Sequence, residues 1–534
     1  MTQIITFPFK QEGFEKIKNY HFGKNWPVVY IIEDIKGCKE MYIGETINAY
    51  YRSKQHFEKP ERRKLKNIHI ISDQEYNKSA TLDTESWLIQ YISAEESITL
   101  QNGNGGLKNH NYFDREKYKT KFEEIIWQKL RNHKLVTNDL QELKNSDLFK
   151  YSPYKTLSDD QLLLVKEIYK KLKDGQDITY LINGKPGTGK TVLAIYLLKY
   201  LKEKEATENL EIGLVVPMTS LRKTIKKVFS KVKGLKSSMI LGPNDVTKKK
   251  YDLLIVDESH RLQQRLNLAN FKSYDDTNKK LKLPKESTQL DWILNSSKNH
   301  IFLYDQNQTI RPADINREIF SNLKATKREL TSQMRVEGGE EYISFIEGIF
   351  ENVNLNPVTF KDYDFQIYDD IGKMITDIKT HNKIHGLSRV VAGYAWPWHT
   401  KKKKEKFDIK INGLELVWNS KTEGWVESEN SINEIGCIHT IQGYDLNYTG
   451  VIIGPEISYD FENTKFIIDK NKYMDFNGKR SASPEELEQY IINIYKTLLT
   501  RGIKGTYVYI CDENLRKYFM NVFMKGKKYQ KVRV

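Results

Sequence analysis

Short apolar runs alternate with helical spacing of apolar residues along most of the chain. The runs are Thr179–Ile182, Ile212–Val216, Leu253–Val256, His300–Tyr304, Arg389–Ala392, Gly450–Ile453 and Thr506–Ile510. Strands that alternate with helices in this way are typical of parallel α/β sheets. The pattern therefore predicts two α/β domains in series, over residues 156–330 and 331–534.

The N-terminal part of the chain has a different pattern. Two short apolar runs, Val28–Ile32 and Met41–Gly44, flank a polar turn around Lys36-Gly37. Two such runs joined by a glycine-containing turn predict a β-hairpin. From Tyr112 to Lys150 the sequence is charged, with apolar residues at helical spacing. We therefore predict a separate N-terminal domain over residues 1–112 and a helical connector over residues 113–155.

The composition indicates a protein without a membrane span. No apolar run in the 534 residues approaches the roughly 18–20 residues that span a bilayer. The stretch Met1–Ile17 lacks the pattern of a secretory signal. The three cysteines, Cys38, Cys437 and Cys511, lie far apart, which favours a reducing compartment over a disulfide scaffold. We therefore expect a cytoplasmic protein with no membrane partner.

The charge balance adds a partner class. Lys and Arg number 85 against 70 Asp and Glu, a formal net charge of +15. A basic excess favours a polyanionic partner, usually nucleic acid. However, the chain is also rich in Ile, Asn, Tyr and Phe, whose codons, like those of Lys, are rich in A and T. Charge alone therefore leaves genome bias open as an explanation, and the motifs must decide.

One motif predicts a nucleotide site. Residues 184–191 read GKPGTGKT, match GxxxxGK[ST], and lie between an apolar run and a helical stretch. Glycines let backbone N–H groups face phosphates, and the helix N-terminus adds a positive dipole. Lys190 would reach the β- and γ-phosphates of ATP, and the Thr191 hydroxyl would bind Mg²⁺. The predicted phosphate-binding residues are Gly184, Pro186, Gly187, Thr188, Gly189, Lys190 and Thr191.

Two carboxylates follow a later predicted strand. Asp257 and Glu258 come directly after Leu253–Val256. A strand that delivers two carboxylates beside a phosphate-binding loop is what a magnesium-dependent NTPase requires. We therefore assign Asp257 to the Mg²⁺ shell and Glu258 to the polarisation of the attacking water.

A series of short motifs follows along the rest of the chain. In order they are Leu157–Gln161, the phosphate-binding loop, Val216–Leu221, Asp257–Arg261, Asp305–Gln308, Ser332–Arg335, His439–Gly443 and Leu499–Gly502. With these motifs, residues from about 156 to 534 resemble superfamily 1 helicases, specifically the Schlafen-like helicase domain of bacterial proteins. Tyr304 stands where the family usually has glycine before Asp305. The resemblance implies two RecA-like parallel-sheet domains with ATP between them.

The resemblance also implies roles for single residues. Gln161 would read adenine, and Gln308 would sense the γ-phosphate. Arg335 and Arg501, both from the second domain, would stabilise charge on the γ-phosphate when the domains close. Gly443 lies in the segment that links the ATP state to contact with the strand, and Val216–Leu221 would contact the nucleic-acid backbone.

A second resemblance covers roughly residues 26–110. The matching positions are Tyr30, the triplet Tyr42-Ile43-Gly44, Arg52, His56, Glu85 and Asn102. Together they resemble a GIY-YIG nuclease, although Val28 and Val29 stand where that family typically has Gly-Ile. The resemblance implies a small α/β domain with a short antiparallel sheet.

Phosphodiester hydrolysis needs a base, a Lewis acid and charge neutralisation on the phosphate. By the resemblance, Glu85 would bind Mg²⁺ and Arg52 would brace the scissile phosphate. Tyr30 and Tyr42 would orient or deprotonate the attacking water, and His56 is the rival base or a phosphate contact. A tyrosine base requires a lowered pKa, because the free phenol titrates near pH 10.

These residues predict an ATP-dependent nucleic-acid motor joined to a Mg²⁺-dependent endonuclease, with ATP and Mg²⁺ as cofactors. We expect DNA in preference to RNA, and by analogy a role in bacterial anti-phage defence or restriction. One alternative is an ATP-gated sensor that grips nucleic acid without cutting it and signals to partner proteins. Another is an RNA-processing helicase-nuclease.

Overall fold

The computed structural model describes residues 1–34, 39–103, 112–268, 270–353, 360, 362–400, 406–441 and 443–527. The chain divides into two compact units. The first contains residues 1–176, 192–210 and 224–239, and the second contains residues 177–191, 211–223 and 240–534. No helix in the described ranges is both long enough and apolar enough to cross a membrane.

The N-terminal residues of the first unit form a five-stranded sheet. Its strands are β1 (Gln3–Pro8), β2 (Val28–Glu33), β3 (Lys39–Thr46), β4 (Asn67–Ser72) and β5 (Ile98–Leu100). The order is β1-β4-β2-β3-β5, antiparallel except for the β3–β5 pair. The predicted hairpin is confirmed as β2–β3, with Tyr30 opposite Gly44. Its predicted turn, residues 35–38, lies outside the described residues.

Four helices accompany this sheet. They are α1 (Gln11–Lys18), α2 (Ala49–Phe57), α3 (Pro60–Arg63) and α4 (Lys78–Ile92). Asn48 and Asn77 cap α2 and α4, since each side-chain oxygen accepts a hydrogen bond from a first-turn backbone N–H. Arg52 and His56 therefore lie one turn apart on α2, and Glu85 lies inside α4, as the sequence predicts.

The rest of the first unit is helical. Its elements are α5 (Arg115–Lys121), a π-helical stretch (Phe122–Ile126), α6 (Trp127–Asn132), α7 (Leu140–Asn145), α8 (Asp147–Lys150), α9 (Asp159–Lys173) and most of α10 (Lys190–Lys202) and α11 (Thr219–Lys231). Several of these helices lie within residues 113–155, the stretch for which the sequence predicts a helical connector. The buried Glu95 carboxylate, just after α4, holds it by accepting four hydrogen bonds from Thr137 and Asn138.

The second unit contains two parallel sheets. The first has six strands, β6 (Thr179–Gly184), β7 (Ile212–Val215), β8 (Ile240–Leu241), β9 (Tyr251–Val256), β10 (Ser297–Tyr304) and β11 (Thr326–Leu330). Their order is β11-β6-β10-β9-β7-β8. Because β10 lies between β6 and β9, residues that follow these three strands share one edge of the sheet. Helices α12 (Phe271–Lys280), α13 (Gln289–Ser296) and α14 (Arg317–Ser321) connect its later strands.

The remaining elements of the unit run in this order: α15 (Gly339–Phe350), β12 (Asp364–Tyr368), α16 (Ile371–His385), β13 (Arg389–Ala392), β14 (Ile409–Ile411), β15 (Leu414–Leu416), β16 (Ile435–Cys437), α17 (Ile438–Ile441), β17 (Leu446–Ile453), β18 (Ile457–Asp460), β19 (Lys465–Ile468), α18 (Phe476–Lys479), α19 (Pro484–Leu499), β20 (Gly502–Ile510) and α20 (Glu513–Lys527). Five strands form the second parallel sheet, in the order β12-β20-β17-β13-β16. Two antiparallel hairpins, β14–β15 and β18–β19, stand beside it. The mixed α/β class with parallel sheets is therefore confirmed.

The core of the second sheet is apolar on both faces. One buried cluster contains residues of α15, α19 and α20 packed on β17 and β20. A second cluster packs α16 against the opposite side, around Met374 and Ile378. Parallel strands covered on both faces read as near-continuous apolar runs, which is why the sequence pattern identified them.

Candidate functional site

The phosphate-binding loop joins the end of β6 to the start of α10. Gly187 and Gly189 have φ values of 87° and 75°, in the left-handed region that favours glycine. The Thr188 hydroxyl donates to the Lys185 carbonyl at 2.9 Å and tightens the turn. The backbone N–H groups at the start of α10 therefore face the position where phosphates bind in such loops.

Lys190 is buried in this loop, with 6% of its side chain exposed. Its ammonium donates to the carbonyls of Gly184 at 2.6 Å and Lys185 at 3.1 Å, and it pairs with Asp305 at 3.3 Å. Asp305 directly follows β10. A buried ammonium held among carbonyl oxygens and one carboxylate is a cation poised for phosphate oxygens.

Thr191 and Asp257 meet beside the loop. The Thr191 hydroxyl donates to Asp257 Oδ2 at 2.7 Å. The other carboxylate oxygen, Oδ1, is buried and has no hydrogen-bond partner among the described residues. Burial, followed by the charge of Glu258, raises the pKa of Asp257. A buried carboxylate oxygen without a donor, next to a hydroxyl, fits the oxygen ligands that Mg²⁺ prefers.

Glu258 has an unusual backbone conformation. Its φ is 48°, although it is not glycine, and such a conformation costs about 1–3 kcal/mol. The His260 ring nitrogen Nε2 lies 3.0 Å from its carboxylate. Burial would raise the pKa of Glu258, but His260, Lys190 and Arg501 outweigh burial and hold that pKa below its ordinary value. The lowered pKa keeps the Glu258 carboxylate ionised.

Arg501 connects the two parallel sheets at this site, because it lies just before β20 and contacts Gln308, which lies just after β10. It follows α19, only 1% of it is exposed, and its guanidinium donates to Gln308 Oε1 at 3.4 Å. Gln308 in turn donates to Asp305 at 2.7 Å. Lys190, Asp305, Gln308 and Arg501 therefore form one continuous chain of contacts.

Gln333 and Arg335 lie on the other side of the loop. Gln333 donates to the Pro186 carbonyl, and the Met334 N–H donates to the Gly187 carbonyl, both at 2.8 Å. Arg335, expected at the γ-phosphate, pairs here with Asp445 at 2.6 Å. Sequence reasoning missed Gln333 and Asp445, although Gln333 lies in the quoted segment Ser332–Arg335.

Two other predicted residues have local contacts. Gln161, in the first unit, is 1% exposed, and its side chain accepts from the Ser158 N–H at the start of α9. Gly443 has a φ of 88° and packs beside Met218. Gln442, which precedes it in the predicted motif, lies outside the described residues.

A cavity of about 850 Å³ opens near Met218. The predicted backbone-contacting segment supplies Pro217, Met218, Thr219 and Ser220 to its wall. The other lining residues are Arg222, Gly242, Pro243, Asn244, Asp245, Arg261, Gln263, Gln289, Arg311, Tyr394, Thr422, Glu423, His439, Asp475 and Asn477. Most of these lining residues are polar or charged, and both parallel-sheet regions contribute to them.

The residues of the predicted nuclease site lie close together at the N-terminal sheet; we call them the N-terminal constellation. Tyr30 Oη lies 2.7 Å from His56 Nε2 and 3.4 Å from Arg52 Nε. The Tyr42 ring packs on the His56 ring with centroids 4.7 Å apart. Asn102 exchanges two hydrogen bonds with the backbone of Ile43 at 2.8 and 3.0 Å, and so holds β3 in place.

Arg62 is a residue of this constellation that the sequence did not indicate. Its guanidinium contacts His56 Nδ1 and lies over the Tyr42 ring, 3.6 Å from the centroid. Burial and the charges of Arg62, Arg52 and Lys59 lower the pKa of His56 to about 3, so the imidazole is neutral. A guanidinium only donates, so Nδ1 accepts, and Nε2 carries the proton and donates to Tyr30.

Glu85 lies on α4, close to Glu45 of β3. Burial, followed by the charge of Glu45, raises the pKa of Glu85 to about 7. Lys78 binds the Glu45 carboxylate at 2.5 Å. No group of three or more His, Cys, Asp or Glu side chains able to hold a metal occurs in the described part of the chain. Mg²⁺ needs only one or two carboxylates, because it keeps several waters and takes substrate phosphates.

Gly44 gives the N-terminal constellation a testable packing feature. A Cβ at this position would lie 2.3 Å from Tyr30 Oη. Gly44→Ala is therefore expected to displace Tyr30 and to destabilise the first unit by about 1–3 kcal/mol, measured by thermal unfolding. The matched control is Gly372→Ala in α16, where the added Cβ meets the ends of two side chains, Asp370 Oδ1 at 3.2 Å and Leu414 Cδ1 at 3.7 Å. Equal melting temperatures for the two variants would contradict the close approach of Tyr30 to Gly44.

The larger part of the chain matches a known protein family. The family model described as Schlafen group 3, DNA/RNA helicase domain, matches residues 178–512. An uncharacterized Saccharomyces cerevisiae protein, YPL245W, is 27% identical over 388 residues, which are 63% of this chain and 83% of the yeast protein.

Two solved helicase structures share only distant similarity with the chain. Arterivirus nonstructural protein 10 (helicase) is 14% identical, with a TM-score of 0.31, over 66% of this chain and 64% of that one. Pif1 helicase from Bacteroides, solved with ADP-AlF3 and single-stranded DNA, is 10% identical, with a TM-score of 0.30, over 70% and 98%. The family match spans more than half of the residues, and the chain therefore belongs to the Schlafen group 3 DNA/RNA helicase domain family.

Proposed function

We propose that this protein is an ATP-driven nucleic-acid motor joined to a Mg²⁺-dependent endonuclease. The nuclease domain would occupy residues 1–112, the connector residues 113–155, and the two RecA-like domains residues 156–330 and 331–534. The observation that carries the motor is the chain of contacts from Lys190 through Asp305 and Gln308 to Arg501.

The residues around these contacts would each have a separate role in ATP hydrolysis. Thr191 and Asp257 would hold Mg²⁺, which neutralises charge on the β- and γ-phosphates. Glu258, kept ionised, would orient and polarise the attacking water. Lys190 and Arg501 would stabilise the transferring phosphoryl group from opposite sides. Arg335 would join them only after leaving Asp445.

The cavity beside Met218 is the proposed site for the nucleic acid. Its polar wall and its position at the predicted backbone-contacting segment support a strand that crosses both parallel-sheet regions. Backbone contacts position a strand without reading its sequence. We favour DNA because the fusion of a motor to a nuclease resembles restriction and anti-phage machinery, a role that phage plating on cells with and without the protein would test.

The N-terminal constellation would cut the phosphodiester. His56 Nε2 and Arg52 both donate to Tyr30 Oη, and two donors favour the phenolate that would take a proton from water. Tyr42 would share in orienting the water. Arg52 would brace the phosphate, and Glu85 would hold Mg²⁺. When bound, the metal would supply Lewis-acid chemistry. Arg62 would set the His56 tautomer on which this arrangement depends.

One observation favours a non-cutting alternative. Burial, followed by the charge of Tyr42, raises the pKa of Tyr30 and opposes the phenolate. In that case the N-terminal domain would grip nucleic acid, and ATP turnover would switch a complex with partner proteins. RNA processing by the same chemistry is the remaining alternative.

The test is one panel of substrates measured two ways. The purified protein is given single-stranded, duplex and forked DNA and RNA, with and without ATP and Mg²⁺. We expect ATP hydrolysis that nucleic acid stimulates, and Mg²⁺-dependent cleavage of at least one DNA form. ATP hydrolysis without cleavage of any form would support the sensor, and cleavage of RNA alone would support RNA processing. No hydrolysis under any condition would contradict the motor.

A further inference from the structure

Helix α2 carries Tyr51 on its outward side. With about 3.6 residues per turn, each residue is rotated by about 100° from the one before it. Ala49 and Ser53, each 1% exposed, mark the buried side, and Tyr51, which is 61% exposed, lies opposite them. Arg52 and Tyr50 lie to either side of Tyr51, each about 100° away. Tyr51 therefore separates the arginine of the N-terminal constellation from Tyr50.

Three ammonium groups surround the Tyr50 ring. Lys54 Nζ donates to Tyr50 Oη at 2.9 Å and lies 4.8 Å from the ring centroid. The ammonium groups of Lys24 and Lys18 lie 5.2 and 5.9 Å from the same centroid. Glu15 faces this group as well, since its carboxylate lies 3.4 Å from Tyr50 Oη and 3.7 Å from the Lys18 ammonium. We call Tyr50 and the three lysines the lysine cluster.

The lysine cluster has more positive charge than its surroundings neutralise. Within the described ranges, no carboxylate other than that of Glu15 forms an ion pair with its lysines. Three ammonium groups and one carboxylate leave a net positive charge of two. Like charges repel at these separations, and the face of one tyrosine ring offsets that repulsion only in part. The cluster therefore suits an anionic ligand with more than one charge, such as a chain of phosphates.

Tyr51 adds a surface for bases between the lysine cluster and Arg52. Its ring lies against the Tyr50 ring, with centroids 5.1 Å apart and planes at 60°. Exposed aromatic rings beside basic groups bind single-stranded nucleic acid, because unpaired bases stack on the ring while the phosphates meet the cations. Bases inside a duplex are already stacked on each other and do not reach such a ring. The combination therefore favours a single strand over a duplex.

We propose that a single-stranded segment of the nucleic-acid substrate crosses α2 at Tyr51. The scissile phosphate lies at Arg52, a neighbouring base stacks on Tyr51, and phosphates further along bind the lysine cluster. A helix is about 10 Å across with its side chains, so a few nucleotides reach from one side to the other. The N-terminal domain therefore selects substrates with a single-stranded segment beside the cut. This inference deepens the proposed nuclease function and rests on it.

The first experiment compares cleavage of two end-labelled substrates by the full chain. One is forked DNA with single-stranded arms, and the other is blunt duplex DNA of the same sequence, with RNA versions of both in parallel. Tyr51→Ala removes the ring, Tyr51→Phe keeps it, and Lys24→Gln removes one charge of the lysine cluster. The matched control is Lys16→Gln, which removes a lysine of α1 that pairs with Glu12 at 3.1 Å. Melting temperatures check that each variant is folded.

We expect the wild type to cut the forked substrate faster than the blunt one. Tyr51→Ala should lower kcat/KM for the forked substrate about tenfold, as expected for one lost stacking contact, and leave the blunt substrate unchanged. Tyr51→Phe should behave like the wild type. Lys24→Gln should make the slope of log kcat/KM against log salt shallower by about 0.7, the value for one phosphate contact on a single strand. Lys16→Gln should change neither quantity.

The second experiment detects the strand without any cleavage. Oligo-dT and oligo-rU that carry 5-bromouracil are irradiated with the full chain in the absence of Mg²⁺, and the cross-linked peptides are sequenced by mass spectrometry. We expect an adduct at Tyr51. The DNA and RNA oligonucleotides show which kind of strand crosses α2.

The proposal is overturned if neither oligonucleotide forms an adduct at Tyr51, or if Tyr51→Ala cuts both substrates as the wild type does. It is also overturned if Tyr51→Ala slows cleavage of the forked and blunt substrates equally, because the ring would then serve duplex binding or folding. An adduct at Tyr51 in a protein that cuts no substrate contradicts the nuclease activity and retains the strand site.

Discussion

Replacing Lys190 by Met is expected to lower the rate of ATP hydrolysis by about a hundredfold or more. Removal of one preorganised charge or donor at a reacting centre typically costs that much. Lys190 is also the member of the contact chain that lies in the phosphate-binding loop. Methionine keeps most of the side-chain volume, so the loop is not left with a void.

The measurement is steady-state release of phosphate with saturating nucleic acid. Lys202→Met is the matched control, because Lys202 lies at the other end of α10 and donates to the Glu208 and Leu210 carbonyls. Near-wild-type hydrolysis is expected for Lys202→Met. If Lys190→Met hydrolyses ATP as fast as that control, the proposed nucleotide site is wrong.

Glu85→Gln is expected to reduce Mg²⁺-dependent cleavage by about a hundredfold or more. The amide keeps the shape of the side chain but loses the charge that would hold the metal, whose Lewis acidity supplies several kcal/mol to such reactions. The change also removes the repulsion between Glu85 and Glu45, so the N-terminal domain should remain folded.

Cleavage is followed on an end-labelled strand with increasing Mg²⁺. The control is Glu96→Gln, an exposed glutamate shortly after α4 whose ion pair with Lys227 is long, at 3.8 Å. Undiminished cleavage by Glu85→Gln would remove Glu85 from the nuclease centre. Loss of cleavage by both variants would point to a general effect of negative charge.

The phosphate-binding loop was predictable because its constraints are local. Gly187 and Gly189 need positive φ. Lys190 and Thr191 begin a helix whose N-terminus attracts phosphate. The residues that phosphate binding needs are therefore neighbours in the sequence. The parallel strands were predictable because burial on both faces produces short continuous apolar runs.

The partners of these residues were not predictable in the same way. Arg62 contacts His56 and Tyr42, Asp445 holds Arg335, and Asp314 joins Arg261 to Arg311. In the sequence each of these is an ordinary charged residue with no distinguishing spacing. The same holds for the ion pairs of Lys185, in the loop, with Glu340 and Glu347 of α15.

The sequence by itself determined the elements, the nucleotide motif and the order of the helicase motifs, because backbone propensity, burial pattern and loop chemistry act over a few neighbouring residues. Only the tertiary structure decided that Lys190 reaches Arg501 through Asp305 and Gln308, and that Arg261 faces a cavity. Such contacts join residues far apart in the chain, and their distances depend on how strands are ordered and how helices pack, which no local pattern specifies.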